Sequence, residues 1–323
     1  MKKSSISEFE RLFKVNIPMA NEFDYYMNLL LQSKEYSYLP EAIKHIEDLE
    51  SILSDRYTLK TYKIECMDYL IKYIEQTKCY EDFQNYDLNS LPKFQGKDLR
   101  NSHFINHNEQ YDFLSLDIVS ANYSVLQHMF DKNNELCYDW RELCAISNIH
   151  PALRLSKSFR QYVFGNLNPK RSQTIQQSII MTIVELLSEK FYDNIIYITH
   201  DEIMFRFVKY DYQQILDIKE LLHNIKLPIR YTPFKVEHVK NKSKIVVKNI
   251  LDYDGDSNYR TLFGVPGNQF YFYYKKYILQ QPVEIRDLYF WSDNKLAIWV
   301  MNPEYEQVAT DIIDAALEKA NDF

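Results

Sequence analysis

The segment 194–207, NIIYITHDEIMFRF, sets three consecutive polar residues, His200, Asp201 and Glu202, inside a run of Ile195, Ile196, Ile198, Ile203, Phe205 and Phe207. β-Branched and aromatic residues in such a run predict a mostly buried strand. An unpaired carboxylate buried there is costly or shifts its pKa. Either the acid caps a neighbouring element or meets water, or it serves a chemistry that justifies the position. A second strand-like run, FLSLDIV at 113–119, carries Asp117 in the same way. Carboxylates brought together from neighbouring strand ends are a simple means of holding two divalent cations for phosphoryl transfer.

Outward from these strands the pattern is largely helical. PEAIKHIEDLESIL starts at Pro40, where a missing N–H is harmless, and repeats apolar residues at helical spacing. LKTYKIECMDYLIKYIEQ continues in that style, and the two predict an antiparallel helix pair. NSLPKFQG (89–96) breaks into loop, and a helix is expected from about Asn122 to Phe130. PALRLSKSFRQYVF opens at Pro151 and predicts one helix ending at Gly165. SQTIQQSIIMTIVELLSEKF (172–191) and DYQQILDIKELLHNI (211–225) predict two more helices. From Pro228 onward KIVVKNI, QFYFYYKKYI and NKLAIWV read as strands, with SDN (292–294) as the turn of a hairpin. The mixture predicts an α+β fold.

Composition narrows the function classes. Only 5 glycines occur in 323 residues, and neither GxGxxG nor a P-loop is present, so Gly-rich phosphate cradles are excluded. A net charge of −7 requires any nucleic acid to bind in a local basic groove. Cys66, Cys79, Cys137 and Cys144 form no CxxC pair, which fits free thiols in a reducing compartment. MKKSSISEFERLF lacks the apolar core of a signal peptide and no run of about 18 apolar residues occurs, so the expectation is a cytoplasmic protein with no membrane partner. LDYDGDSNY (251–259) alternates Asp252, Asp254 and Asp256 but lacks the closing Glu of a calcium loop, and reads as an acidic turn.

Between the two strand acids, Arg154, Lys157, Arg160 and Phe164 recur at helical spacing. One helix face then presents three cations and a ring. Such a face suits a triphosphate and a base, although a solvated basic edge beside a core Phe has the same pattern.

The order strand-Asp, basic helix ending in Phe-Gly, long helix, strand-HDE resembles the palm and fingers of the family A nucleic-acid polymerases, the group of bacterial DNA polymerase I. LSLDIVSANYSVLQHMFDKN resembles the first palm motif, with Asp117 at the metal-binding Asp and His128 where a His is often found. RQYVFG resembles the fingers helix and HDEI the last palm motif. KYDYQQILDIKELLHNIKLPI resembles the helix and strand that normally come after that motif, and LRNSHFINHNEQYDFLSLD the approach to the first one, with Arg100 at a basic position. The likeness covers roughly residues 96–250.

The resemblance implies a right-hand fold: a helical thumb-like region at 1–95, a palm with antiparallel sheet and reduced fingers at 96–250, and a C-terminal accessory α/β region at 251–323. It implies a template-directed nucleotidyltransferase, a DNA polymerase above all, acting on primer-template nucleic acid and nucleoside triphosphates. Asp117 and Asp201 would hold two Mg²⁺ ions, with Mn²⁺ as a substitute, and Glu202 would support their geometry. Arg160, Lys157 and Arg154 would meet the triphosphate, Phe164 the base and Asn122 the sugar. His200, Gln177, Gln173 and Arg100 would contact primer and template, and the C-terminal region would dock a replication accessory protein. The chain departs from the family at Asn122, where DNA-making members carry Glu, at Asn168, commonly Tyr, and at Ser156, commonly Arg. A shortened fingers segment separates Phe164 from Asp201. These departures keep two alternatives open: a primase-like, ribonucleotide-using polymerase, and a weakly catalytic nucleic-acid-binding replication subunit. The Gly-poor, Asn- and Tyr-rich composition is that of an AT-rich genome, a phage among the candidate sources.

Overall fold

The structure, a computed structural model, describes residues 3–53, 57–92, 110–137, 139–239, 245–252, 257–292 and 295–299. Over them the chain is α+β. Its elements in order are helices α1 (Lys3–Phe13), α2 (Phe23–Leu30), α3 (Leu39–Ile52), α4 (Leu59–Glu75) and α5 (Lys78–Asn85), then strand β1 (Asp112–Ile118). Helices α6 (Ala121–Val125), α7 (Trp140–Ile146), α8 (Pro151–Arg154), α9 (Lys157–Gly165) and α10 (Pro169–Phe191) come after it. Next are β2 (Ile195–Ile198), β3 (Glu202–Phe207), α11 (Tyr212–Leu221), β4 (Ile229–His238), β5 (Val246–Leu251), β6 (Ser257–Phe263), α12 (Phe270–Tyr273), β7 (Tyr289–Ser292) and β8 (Lys295–Ile298). No helix among the described residues is long and apolar enough to cross a membrane.

The chain divides into two compact units. One comprises Met1–Val15, Tyr38–Val236 and Asn249–Asn258, the other Asn16–Ser37, Glu237–Lys248 and Tyr259–Phe323. Helices of residues 1–95 therefore fall in both.

In the first unit the sheet has the order β2-β3-β1-β4. There β1 lies between β3 and β4 and is antiparallel to both. Alternation along the strands separates two faces. Leu114, Leu116, Ile118, Ile203 and Phe205 point to one of them, where they form a core with Ile180, Ile183 and Leu187 of α10 and Ile215 and Ile218 of α11. The other face carries Ser115, Asp117 and, opposite Asp117, Glu202 of β3 and Arg230 of β4. Covering one face with helices leaves the other for polar chemistry.

The segment 194–207 corrects the expectation of a single strand. It is a hairpin, β2 and β3, whose turn contains His200 and Asp201, with Glu202 as the first residue of β3. Thr199 makes the turn: its N–H donates to the Glu202 carbonyl at 2.8 Å, and its Oγ1 accepts from the N–H groups of Glu202 at 2.9 Å and Asp201 at 3.3 Å. Asp201 is thus a turn residue, and its position needs no buried charge.

Three further expectations change. PALRLSKSFRQYVF is two helices, because Ser156 spends its hydroxyl on the Phe159 N–H and so starts α9 afresh. QFYFYYKKYI is helical: α12 runs into a π-turn at Tyr274–Ile278, and Tyr271, Phe272, Tyr273 and Tyr274 are all buried. An unbroken apolar run has no period to tell a buried strand from a buried helix. The helices α3 and α4 pack on α8 and α9 respectively rather than chiefly on each other. By contrast β1, α10, α11 and the hairpin β7–β8, paired from Tyr289↔Ile298 to Ser292↔Lys295, stand where the sequence predicts them.

In the second unit Val239, Ile245, Val247, Phe272, Tyr273 and Leu288 form a small core. Beside it Lys275, buried, is held by Glu284 at 2.7 Å, Tyr25 at 2.9 Å and Asp287 at 3.1 Å. Fully partnered in this way, a buried ammonium is tolerated. The acidic turn expected at residues 252–256 lies mostly outside the described residues.

Candidate active site

The site begins where β1 ends. The Ile118 N–H donates to the Asp201 carbonyl at 2.9 Å, which fastens the hairpin turn to the end of β1 and brings the two acids to neighbouring strand ends. Neither is fully buried: the side chains of Asp117 and Asp201 are 25% and 37% exposed. Asp201 accepts from Thr199 Oγ1 at 3.1 Å, and His200 Nε2 stands 3.6 Å from the same carboxylate oxygen. Asp117 forms an ion pair with Arg230, its cross-strand neighbour on β4. Burial raises the Asp117 carboxyl above its ordinary range, Arg230 pulls it back down, and the nearby Asp201 adds to the rise.

Helices α8 and α9 bring the cations. Ser156 Oγ, besides capping α9, donates to the Leu12 carbonyl at 2.6 Å and anchors the start of that helix to α1. Arg154 donates from Nε to the Ile149 carbonyl. Lys157 is exposed, whereas Arg160 is largely buried, and its charged form is disfavoured by burial and by Arg141 and Arg230. Among the described residues Arg141, Lys157 and Arg160 are in no ion pair. Unpaired cations around a shared space draw an anionic ligand.

That space is a cavity of about 770 Å³. Its wall includes Asp117, Asp201, Arg154, Lys157 and Arg160, together with Arg141 and Arg230. Five Arg or Lys against Asp117, Asp139 and Asp201 leave the cavity cationic in a chain of net charge −7. Asn122, Phe164, Gln173 and His200 also line it.

Phe164 is buried, with its ring edge-on to Tyr123 at 6.0 Å and tilted against Trp140 at 5.9 Å, so its first role is in an aromatic core behind the cavity wall. Asn122 is fixed by α10: its Oδ1 accepts from Gln176 Nε2 at 2.6 Å and from Ser172 Oγ at 2.8 Å. With the oxygen occupied, the amide nitrogen is the group left for a ligand. Asn168 adopts a left-handed conformation, φ 54°, and its Oδ1 caps α10 at the Arg171 N–H.

Two expected site residues do not line the cavity. Glu202 turns along the sheet and accepts from Ser115 Oγ at 2.6 Å. Gln177 is exposed and does not line the cavity, and the buried Gln176 stands at the wall in its place. Ser172, Gln176, Ile180, Ile183 and Leu187 form the buried stripe of α10, so helical spacing alone selects Gln176. Arg100 lies outside the described residues. Sequence reasoning also missed Arg141 and Arg230. Nothing local marks Arg230, since only the β1–β4 register sets it opposite Asp117.

Among the described residues no group of three or more His, Cys, Asp or Glu side chains could by itself hold a metal ion. Two carboxylates remain, and magnesium binds in this way, through one or two carboxylates, water and substrate phosphates. The chain matches no protein-family model, and no curated protein and no solved structure matches it.

Proposed function

We propose that the chain is a nucleotidyltransferase that extends a nucleic-acid primer on a template, a DNA polymerase of reduced size similar in its palm to family A. The observation that carries this reading is one cavity joining two strand-end carboxylates to Arg154, Lys157 and Arg160. The ordered sequence likeness supports it independently.

Asp117 and Asp201 would hold magnesium, which when bound stabilises charge on the transferring phosphoryl group and favours the hydroxylate nucleophile. The chain itself supplies position and counter-charge. Lys157 and Arg160 neutralise phosphate oxygens, and the rigid start of α9, tied to α1 through Ser156, holds them in place. The Asn122 amide nitrogen, oriented by Gln176 and Ser172, faces the sugar. His200 sits on the hairpin turn at the primer side. Glu202, engaged by Ser115, braces the strand pair under Asp117.

A second reading, a nucleic-acid-binding subunit with little catalysis, is favoured by the Arg230–Asp117 ion pair, which neutralises one of the two acids. Primer extension with Mg²⁺ and either dNTPs or NTPs, run beside Asp201→Ala, separates the two. Polymerase chemistry predicts extension by the wild type and a loss of at least about a hundredfold in the variant. No extension with either nucleotide set sinks the catalytic reading, and equal rates for both proteins sink the assignment of Asp201.

A further inference from the structure

We propose that Arg230 is a two-position side chain, a stand-in cation on Asp117 that moves to a substrate phosphate when a divalent cation takes the carboxylate. The inference rests on the reading of Asp117 as a metal-holding residue.

Four observations carry it. Arg230 is directly opposite Asp117 in the β1–β4 register, so the strand pair holds its Cα beside the acid whatever the side chain does. Its guanidinium is in an ion pair with one Asp117 oxygen, where an incoming cation must compete with it. The side chain is 62% exposed, which leaves it room to rotate. It also lines the cavity with Lys157 and Arg160, and is close enough to Arg160 for the two cations to repel.

Physical chemistry gives the direction of the exchange. An exposed Arg–carboxylate pair is weak, and a divalent ion with two carboxylates and phosphate oxygens to bind outcompetes it. Once displaced, a guanidinium between a metal site and two other cations is relieved only by an anion, and its planar fork suits phosphate. Arg230 thus opposes metal binding in the free protein and favours substrate binding afterwards. The expected result is ordered loading, in which metal and polyphosphate enter together more readily than metal alone.

The test measures binding, not turnover. Mn²⁺ alone, followed by its paramagnetic resonance signal, and tripolyphosphate, with and without saturating Mg²⁺, followed by calorimetry, are titrated into the full chain and into Arg230→Gln, Arg230→Lys and Asp117→Asn. Removing a weak competing ion pair should tighten Mn²⁺ binding about two- to fivefold in Arg230→Gln. The same variant should bind tripolyphosphate about five- to tenfold more weakly when Mg²⁺ is present. Arg230→Lys, which keeps the charge, should lie between on both readouts. Unchanged or weaker Mn²⁺ affinity in Arg230→Gln overturns the proposal, as does undiminished tripolyphosphate affinity. If Asp117→Asn abolishes Mn²⁺ binding while Arg230→Gln leaves it unchanged, the proposal fails and the metal-site reading stands. If the wild type and Arg230→Gln bind no Mn²⁺, both fail.

Discussion

Ser156 and Ser158 lie two residues apart at the start of α9, both are buried, and their removal should have opposite consequences. Ser156 is 1% exposed; its Oγ accepts from the Phe159 N–H at 3.0 Å and donates to the Leu12 carbonyl at 2.6 Å. Leu12 is in the last turn of α1, where carbonyls have no partner within the helix. One hydroxyl therefore serves two helix ends. Ser156→Ala loses an N-cap, worth about 1 kcal/mol, and leaves a buried carbonyl unsatisfied, at about 1–2 kcal/mol. The total is about 2–3 kcal/mol. With a urea m-value of about 3 kcal/mol per M, the unfolding midpoint should fall by about 0.7–1 M. Ser158 is 2% exposed, and its Oγ has no hydrogen-bond partner among the described residues. Ser158→Ala relieves a desolvated hydroxyl and should leave the midpoint unchanged or raise it. Urea unfolding followed by far-UV circular dichroism measures both, with Ser156→Thr as the variant that keeps both bonds. Equal shifts for the two alanine variants, or a Ser156→Ala midpoint within about 0.2 M of wild type, would refute the two-ended cap.

The same geometry sets other outcomes. Arg160→Met removes a largely buried cation repelled by Arg141 and Arg230; it should stabilise the fold by about 1 kcal/mol while weakening tripolyphosphate binding about tenfold, as calorimetry would record. Glu at position 122 keeps oxygen acceptors for Ser172 and Gln176 but removes the amide donors. Asn122→Glu should therefore fold normally and shift nucleotide selectivity toward dNTPs in primer extension; an unchanged ratio removes Asn122 from the sugar pocket. Cys66, Cys79 and Cys144 are buried and Cys137 partly so. Burial pushes all four thiols up from 9.0, Cys79 and Cys144 to about 12. A thiol reagent at neutral pH should label Cys137 slowly and the others only on unfolding. A raised folded pKa makes stability full below the unfolded value and lost above it, so the urea midpoint should fall as pH rises from 9.0 toward 12.

Sequence alone determined those parts of the protein in which a local period or a local cap carries the information. The stripe Ser172, Ile180, Ile183, Leu187 makes α10 amphipathic wherever it packs, and the alternation in 114–118 puts Asp117 of β1 on the face away from Leu114 and Leu116. The pairing of Asp117 with Asp201, and the approach of Arg154, Lys157 and Arg160, were legible as an ordered set of residue types, and one cavity holds all five.

Tertiary structure decided what depends on a choice between locally equivalent states. THDE reads equally as a strand interior or a turn until the Thr199 hydroxyl takes two backbone N–H groups. QFYFYYKKYI reads equally as strand or helix, because a run apolar on every side has no period. A Ser within a helical pattern is neutral until its hydroxyl caps the Phe159 N–H and a carbonyl from α1 holds it there, which makes Ser156 a break. The electrostatics of the site is the most non-local property of all. Arg230 lies far from Asp117 along the chain, and only the register of two antiparallel strands puts a cation on the carboxylate that the sequence had assigned to metal.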